Sequence, residues 1–318
     1  MNQLDQAASL RQTRAQTTSL QGKSRVRCLA VSSGKGGVGK TFISVNLALS
    51  LKKQGKRVLI VDADLGLANA DIVLGMTPEY TMQDAIFHGR PLREVICHAP
   101  YGVDLVAASA GSKEMVTLGD ARLQNMLQDL LTLASDYDFI LFDCASGIAP
   151  SVLCFIGAAT QNLIVATGDP TSMMDVYALI KVIQQRQLAS QVDLVVNRAK
   201  SMDDGKRIYQ TLSKVCSQFL SFKMSLVGVI PDTPKATKAL ASCRPLVEVC
   251  PDDLATKQLA DLARRIIRRD AGSEIFDESS VNAIVNGILS VGEPRAALRP
   301  DARPFDEPME ETTTSNRE

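Results

Sequence analysis

The stretch Gly34-Lys35-Gly36-Gly37-Val38-Gly39-Lys40-Thr41 decides the fold. An apolar run, Cys28-Leu29-Ala30-Val31, precedes it, and a helix-like stretch from Phe42 to Lys53 follows. Strand, glycine loop and helix, in that order, are the setting in which a backbone wraps a polyphosphate. Glycines at 34, 36, 37 and 39, with Val38 between them, let the loop's N–H groups turn inward. Side chains there would block the approach or forbid the dihedrals. The N-terminus of the following helix adds partial positive charge. Lys40 is placed to reach the β- and γ-phosphates, and the Thr41 hydroxyl to bind Mg²⁺.

A second lysine, Lys35, sits inside the loop. It lies too near its own backbone to be needed by its own nucleotide, and it can reach one held by a second subunit. Lys35-Gly36-Gly37-Val38-Gly39-Lys40-Thr41 resembles the deviant Walker A motif of the MinD/ParA ATPases. In that family the extra lysine contacts the partner's phosphates across an ATP-sandwich dimer. The resemblance implies ATP-controlled homodimerisation here.

Working outward, apolar runs alternate with helical patterns from residue 26 to about 270. The strand candidates are Val26–Ser32, Arg57–Val61, Val103–Ala107, Phe139–Asp143, Asn162–Thr167, Val192–Asn197 and Leu226–Ile230. The main helical stretches are Val38–Lys53, Ala121–Ala134, Ser172–Gln187, Gly205–Phe219 and Asp252–Arg269. Continuously apolar strands between helices predict an α/β fold: a doubly wound, mostly parallel sheet with helices on both faces. The organisation expected is a polar arm at 1–25, one P-loop domain of three α/β/α layers at 26–270, an amphipathic helix at 271–290 and a disordered tail at 291–318. The tail reading follows from Pro294, Pro300, Pro304 and Pro308 among charged residues and threonines.

Composition excludes several classes. The 318 residues carry a formal net charge of zero, which argues against a general polyanion binder and against DNA binding. No run approaches the roughly 18 apolar residues of a membrane span. Met1 to Arg27 lacks the apolar core of a secretory signal. Seven scattered cysteines with no Cys-x-x-Cys pair suit a reducing cytoplasm. His88 and His98 are the only histidines, so a histidine metal site or a Ser-His-Asp triad is not expected. An iron–sulfur reductase would set cysteines among glycines, a setting Cys97, Cys144 and Cys154 lack. A metabolic kinase needs an acceptor pocket, and none is legible.

Carboxylates mark the remaining machinery. Val58-Leu59-Ile60-Val61-Asp62-Ala63-Asp64 is a strand ending in two aspartates, where such sheets bind ligands. Period-2 spacing puts Asp62 and Asp64 on one side if the strand persists. The expected jobs are holding the Mg²⁺ shell, for Asp62, and positioning the attacking water. Asp62 to Asp71 resembles the family's switch I, in which the second aspartate, here Asp64, orients that water. Asp138-Phe139-Ile140-Leu141-Phe142-Asp143 is a Walker B candidate that delivers Asp143 to Mg²⁺. Ser146-Gly147 follows as a mobile turn in the place of switch II. Cys144 stands there where relatives often carry a hydroxyl, which puts a switch role for that position in doubt. The catalytic set is thus Lys35, Lys40 and Asp64, and the metal set Thr41, Asp62 and Asp143.

ATP is favoured over GTP. Leu194 to Lys200 ends a strand in Asn197, and Lys200 stands where a guanine-reading aspartate would be. Asn197 can bond the adenine N6/N7 edge, or can be a plain strand-end asparagine. Val229-Ile230-Pro231-Asp232 resembles the family loop whose backbone, at Pro231 and Asp232, cups adenine.

The arm points to one branch of the family. Asp5-Gln6-Ala7-Ala8-Ser9-Leu10-Arg11 resembles the Asp-Gln-Ala-x-x-Leu-Arg element of the flagellar-number branch, FlhG (FleN). There the arm docks as a helix on the signal-recognition-type GTPase FlhF and stimulates it. The resemblance assigns Asp5, Gln6, Leu10 and Arg11 to partner binding, and implies control of flagellar number through a flagellar transcriptional activator. Asp169-Pro170-Thr171-Ser172 and Asp175 to Lys181 resemble the same branch. The core alone is equally compatible with MinD-like septum placement or ParA-like DNA partition. Val281, Ile284, Val285, Ile288 and Leu289 fall on one helical face without basic neighbours. Two readings of that helix stay open: docking on the inner membrane surface in the ATP-bound dimer, or packing on its own core. Arg264, Arg265, Arg268 and Arg269 read as helix-dipole compensation rather than a DNA patch.

Overall fold

All seven apolar runs form strands. They are β1 (Arg27–Ser33), β2 (Val58–Ala63), β4 (Asp104–Val106), β5 (Phe139–Ser146), β6 (Gln161–Ala166), β7 (Gln191–Ala199) and β8 (Lys223–Pro231). The structure is a computed structural model and describes residues 26–66, 69–109 and 120–269. The arm with Asp5, Gln6, Leu10 and Arg11, the helix expected at 271–290, the tail at 291–318, and Leu67 and Ala68 of the acidic loop lie outside those residues. An eighth strand, β3 (Cys97–His98), pairs antiparallel with β4 at one edge. Two residues carry no periodicity, so the sequence gives no hint of it.

The order is β3-β4-β2-β5-β1-β6-β7-β8, and every pair except β3/β4 is parallel. The helices are α1 (Lys40–Lys52), α2 (Ala70–Leu74), α3 (Met82–His88), α4 (Leu92–Val95), α5 (Asp120–Leu133), α6 (Pro150–Ala158), α7 (Pro170–Gln185), α8 (Met202–Leu220), α9 (Pro234–Ala241), α10 (Leu246–Val249) and α11 (Leu254–Arg268). Strand residues alternate between two cores. Leu29, Ile60 and Leu141 pack with Ile43 and Leu47 of α1 and Leu259 of α11. Ala30, Phe142 and Ile164 pack with Phe155 of α6, Leu179 of α7 and Leu212 of α8. The fold is therefore the expected doubly wound, three-layer α/β/α sandwich.

Helix α6 shows no amphipathic pattern because Val152 to Ala158 are all buried. Helices α8 and α11 carry side-chain caps: Ser201 accepts the N–H of Asp204, and Asp253 that of Ala255. At the pole opposite the glycine loop, buried Asp193 pairs with Arg269 and accepts a 2.6 Å hydrogen bond from Gln161 Nε2. Arg27 Nη2 in turn donates to Gln161 Oε1 at 2.7 Å, and its Nη1 to the Ile266 carbonyl. Arg265 donates to the Val227 carbonyl and Arg264 pairs with Asp261. Three of the four clustered arginines thus tie α11 to itself or to the sheet.

Candidate nucleotide site

The strand order reverses around β1, which lies between β5 and β6. Crevices at such a reversal, beyond the strands' C-terminal ends, are where doubly wound sheets bind ligands. The glycine loop leaves β1 there, and α1 starts at Lys40. Its glycines answer to different neighbours. A Cβ on Gly34 would lie 2.2 Å from the Asp175 backbone of α7. Gly39, the residue before α1, has φ 93°, and its Cβ would lie 2.4 Å from Asn197 Nδ2. At Gly36 the nearest atom to an added Cβ is Ser146 Oγ, at 3.6 Å. Among the described residues no atom comes closer than that, so the space beside Gly36 has room for a phosphate oxygen.

Asp62 and Asp143, far apart in sequence, are register partners on β2 and β5, and Val31 at the end of β1 is also opposite Asp143. Thr41 and Ser44 both hydrogen-bond the Asp143 carboxylate, Ser44 Oγ at 2.8 Å from Oδ1. Lys40 is buried, and its charge acts on Asp143. Ser44 did not figure among the expected site residues. Its position three residues after Thr41, on one helical face, is the sequence feature that could have found it.

Strand β2 ends at Ala63, so the period-2 argument for Asp64 stops one residue short. Asp64 still lies close enough for its charge to act on Asp143. The Asp62 carboxylate accepts N–H groups from Asp64 at 3.2 Å, Asn69 at 3.1 Å and Ala70 at 3.2 Å. These bonds tie Asp62 to the loop that follows, whereas the equally buried Asp143 carboxylate bonds the Thr41 and Ser44 hydroxyls. Burial, then the Asp143 charge, pushes Asp62 above the usual carboxylate range despite these three bonds. Burial raises Asp143 too, and the Thr41 and Ser44 hydroxyls and Lys40 oppose it. Two buried acids side by side with hydroxyls are a hard-oxygen donor set whose repulsion a divalent cation would relieve. The residues present therefore fit Mg²⁺.

The two lysines of the loop diverge. Lys40 faces inward, whereas Lys35 is exposed, with Nζ 2.8 Å from Thr171 Oγ1 at the start of α7. Asn197, Pro231 and Asp232 come together beside the loop and, with Gly37, Gly39 and Arg198, border a cavity of about 320 Å³. Its size suits a purine. Asn197 is buried and donates from Nδ2 to the Val38 carbonyl at 2.8 Å, so this amide also braces the loop. Cys144 and Cys154 are core residues, and all seven cysteines are unbridged. Among the described residues no helix is long and apolar enough to cross a membrane.

This fold and this loop define a P-loop nucleoside triphosphatase. A family model described as an AAA domain matches residues 26–196. The antiactivator FleN of Pseudomonas aeruginosa is 38% identical over 241 residues, covering 76% of this chain and 86% of FleN. The flagellum site-determining protein YlxH of Helicobacter pylori is 29% identical over 248 residues, covering 78% and 84%. The structure of the septum site-determining protein MinD of Pyrococcus horikoshii, complexed with Mg-ADP, superposes with a TM-score of 0.65 at 22% identity, covering 76% and 96%, and shows the same fold. The chain belongs to the MinD/ParA-type deviant Walker A ATPases, in the branch that includes FleN.

Proposed function

We propose that this chain is an ATP-gated switch in which Lys35 of each copy engages the triphosphate of the other. The observation that carries this is the divergence of the two lysines: Lys40 is buried beside Asp143, and Lys35 is exposed on the same loop. A single chain needs only the first. In the single chain Lys35 rests on Thr171, and a short side-chain movement frees it outward. The backbone of residues 34–39, with Lys40, would cradle the phosphates, and Asn197, Pro231 and Asp232 the adenine. Mg²⁺, held by Thr41 and Asp143 beside Asp62, would supply charge to the β- and γ-phosphates. Asp64, at the rim of this cluster, would orient the water whose attack reopens the pair.

The output favoured by likeness to FleN and YlxH is regulation of flagellar number and flagellar gene expression. It would work through a flagellar transcriptional activator, and through stimulation of an FlhF-type GTPase by Asp5, Gln6, Leu10 and Arg11. Closure of the pair would also set the exposure of the 271–290 segment to the membrane surface. The neutral charge and the engaged α11 arginines weigh against DNA partition.

Sedimentation with ATP, ADP or no nucleotide tests the switch. The unaltered chain should pair with ATP only, Lys35→Ala should stay single while still binding ATP, and Asp64→Ala should accumulate as a pair. If Lys35→Ala pairs with ATP as the unaltered chain does, the switch is refuted. Deleting residues 1–20 should abolish stimulation of the flagellar GTPase without affecting pairing.

A further inference from the structure

The C-terminal end of β7 is irregular. Its pairing with β8 shifts register between Val196 and Ala199, and Arg198, inside that interval, has φ 53°. L-residues rarely adopt this left-handed conformation, and such outliers persist where the surroundings impose them. Bulges re-aim side chains. Here the three consecutive residues go to three different places. Asn197 turns into the protein and holds the Val38 carbonyl. Ala199 is buried, and its carbonyl accepts the Asp232 N–H at 2.9 Å. Arg198 is left exposed between them.

Its position is specific. Arg198 borders the 320 Å³ cavity beside the glycine loop and also a polar cavity of about 390 Å³ that contains Asp169, Lys200 and Asp204. Arg198 thus borders both cavities. Among the described residues it has no hydrogen bond and no ion pair, although two carboxylates line the neighbouring cavity. Pro231 and Asp232 of β8 and its following loop form another wall of the base cavity. A flat aromatic ring entering there would have Arg198 on one of its borders.

We propose that Arg198 is a base-recognition residue that covers one face of the adenine ring, a role resting on the nucleotide reading given above. A guanidinium is planar, weakly hydrated and stacks flat on aromatic faces, whereas an ammonium engages a ring only as a compact, strongly hydrated charge. Arg198 therefore acts on the base rather than on the phosphates, and the bulge exists to present it.

The test is titration calorimetry of Mg²⁺-ATP and of inorganic tripolyphosphate against the unaltered chain, Arg198→Ala, Arg198→Gly and Arg198→Lys. Glycine accepts the left-handed backbone without strain, so Arg198→Gly keeps the fold even if Arg198→Ala does not. Loss of one stacked cation should weaken ATP binding about 3–30-fold in both truncations. Arg198→Lys should recover only part of the loss, and tripolyphosphate should bind all four proteins alike. Equal ATP affinity in Arg198→Gly and the unaltered chain overturns the assignment. So does a parallel loss of ATP and tripolyphosphate, which would make Arg198 a phosphate-steering charge. If the unaltered chain binds tripolyphosphate but gains nothing from the base, the cavity reading itself fails.

Discussion

Two alanine substitutions two residues apart should behave in opposite ways. At Gly34 an added Cβ would sit 2.2 Å from the Asp175 backbone. Restoring an ordinary contact of 3.4 Å means moving the loop or α7 by about 1.2 Å. Neither has room: α7 is anchored through buried Val176, Leu179 and Ile180, and β1 is buried from Cys28 to Ser33. Overpacking of this kind costs on the order of 1–3 kcal/mol. In a domain of this size that lowers Tm by about 2–12 °C. Misplacement of a catalytic loop by about 1 Å also removes about 100-fold of rate.

Among the described residues Gly36→Ala meets no atom closer than 3.6 Å, and its φ is not in the left-handed region. The folded protein should tolerate it within about 0.5 kcal/mol. Its methyl group, however, would stand in the proposed phosphate cradle. Gly36→Ala should therefore keep its Tm without nucleotide and lose the further rise that Mg²⁺-ATP gives the unaltered chain. Thermal scans with and without Mg²⁺-ATP, together with phosphate-release assays, separate the two cases. If Gly36→Ala binds ATP normally, the cradle is misassigned. If Gly34→Ala keeps both Tm and turnover, the close approach of loop and α7 is not what constrains that position.

Protonation gives a further expectation. Asp62 is pushed up to about 8 by burial and the neighbouring Asp143, and Asp143 up to about 6 by burial. Both folded values lie above the unfolded one of 3.8, so the folded state holds protons more tightly. The resulting stability is complete below about pH 4 and is lost as pH rises through 6 and then 8. Without Mg²⁺ and nucleotide, Tm should fall between pH 5.5 and 8.5; Asp62→Asn should flatten that fall, and an unchanged slope in that variant would contradict the pairing. At the opposite pole, Arg269→Ala leaves buried Asp193 with the Gln161 amide as its one side-chain partner among the described residues. Breaking such a pair costs about 3–5 kcal/mol, with the lower end expected because Arg269 is partly exposed. Urea unfolding should show that loss, and replacing both partners by apolar residues should recover most of it.

What was legible in the sequence is what chain neighbours dictate. The strands were found because each is an uninterrupted apolar run, and the loop because glycine spacing, flanking strand and following helix are all local. Helix α6 was missed because burial on every side erases the helical period. The partnership of Asp62 and Asp143 depends on β5 sliding between β1 and β2, a crossover no local pattern encodes. Ser44 acquires its function only once that crossover delivers Asp143 to α1.

Asn197 shows the limit most sharply. At the sequence level it reads as a base-edge contact or a strand-end turn, and neither reading ties it to the glycine loop. In the structure Gly39 turns at φ 93° immediately before α1, and the Asn197 amide bonds the adjoining Val38 carbonyl. A Cβ on Gly39 would meet that same amide nitrogen at 2.4 Å. Glycine at 39 and asparagine at 197 are thus one device: the first supplies the backbone turn and the space, the second a donor that locks the loop. With one amide hydrogen engaged in this way, Asn197 has only its Oδ1 and its second N–H to offer a base. Recognition of adenine then has to draw on the rest of the cavity wall, which is where Arg198, Pro231 and Asp232 stand.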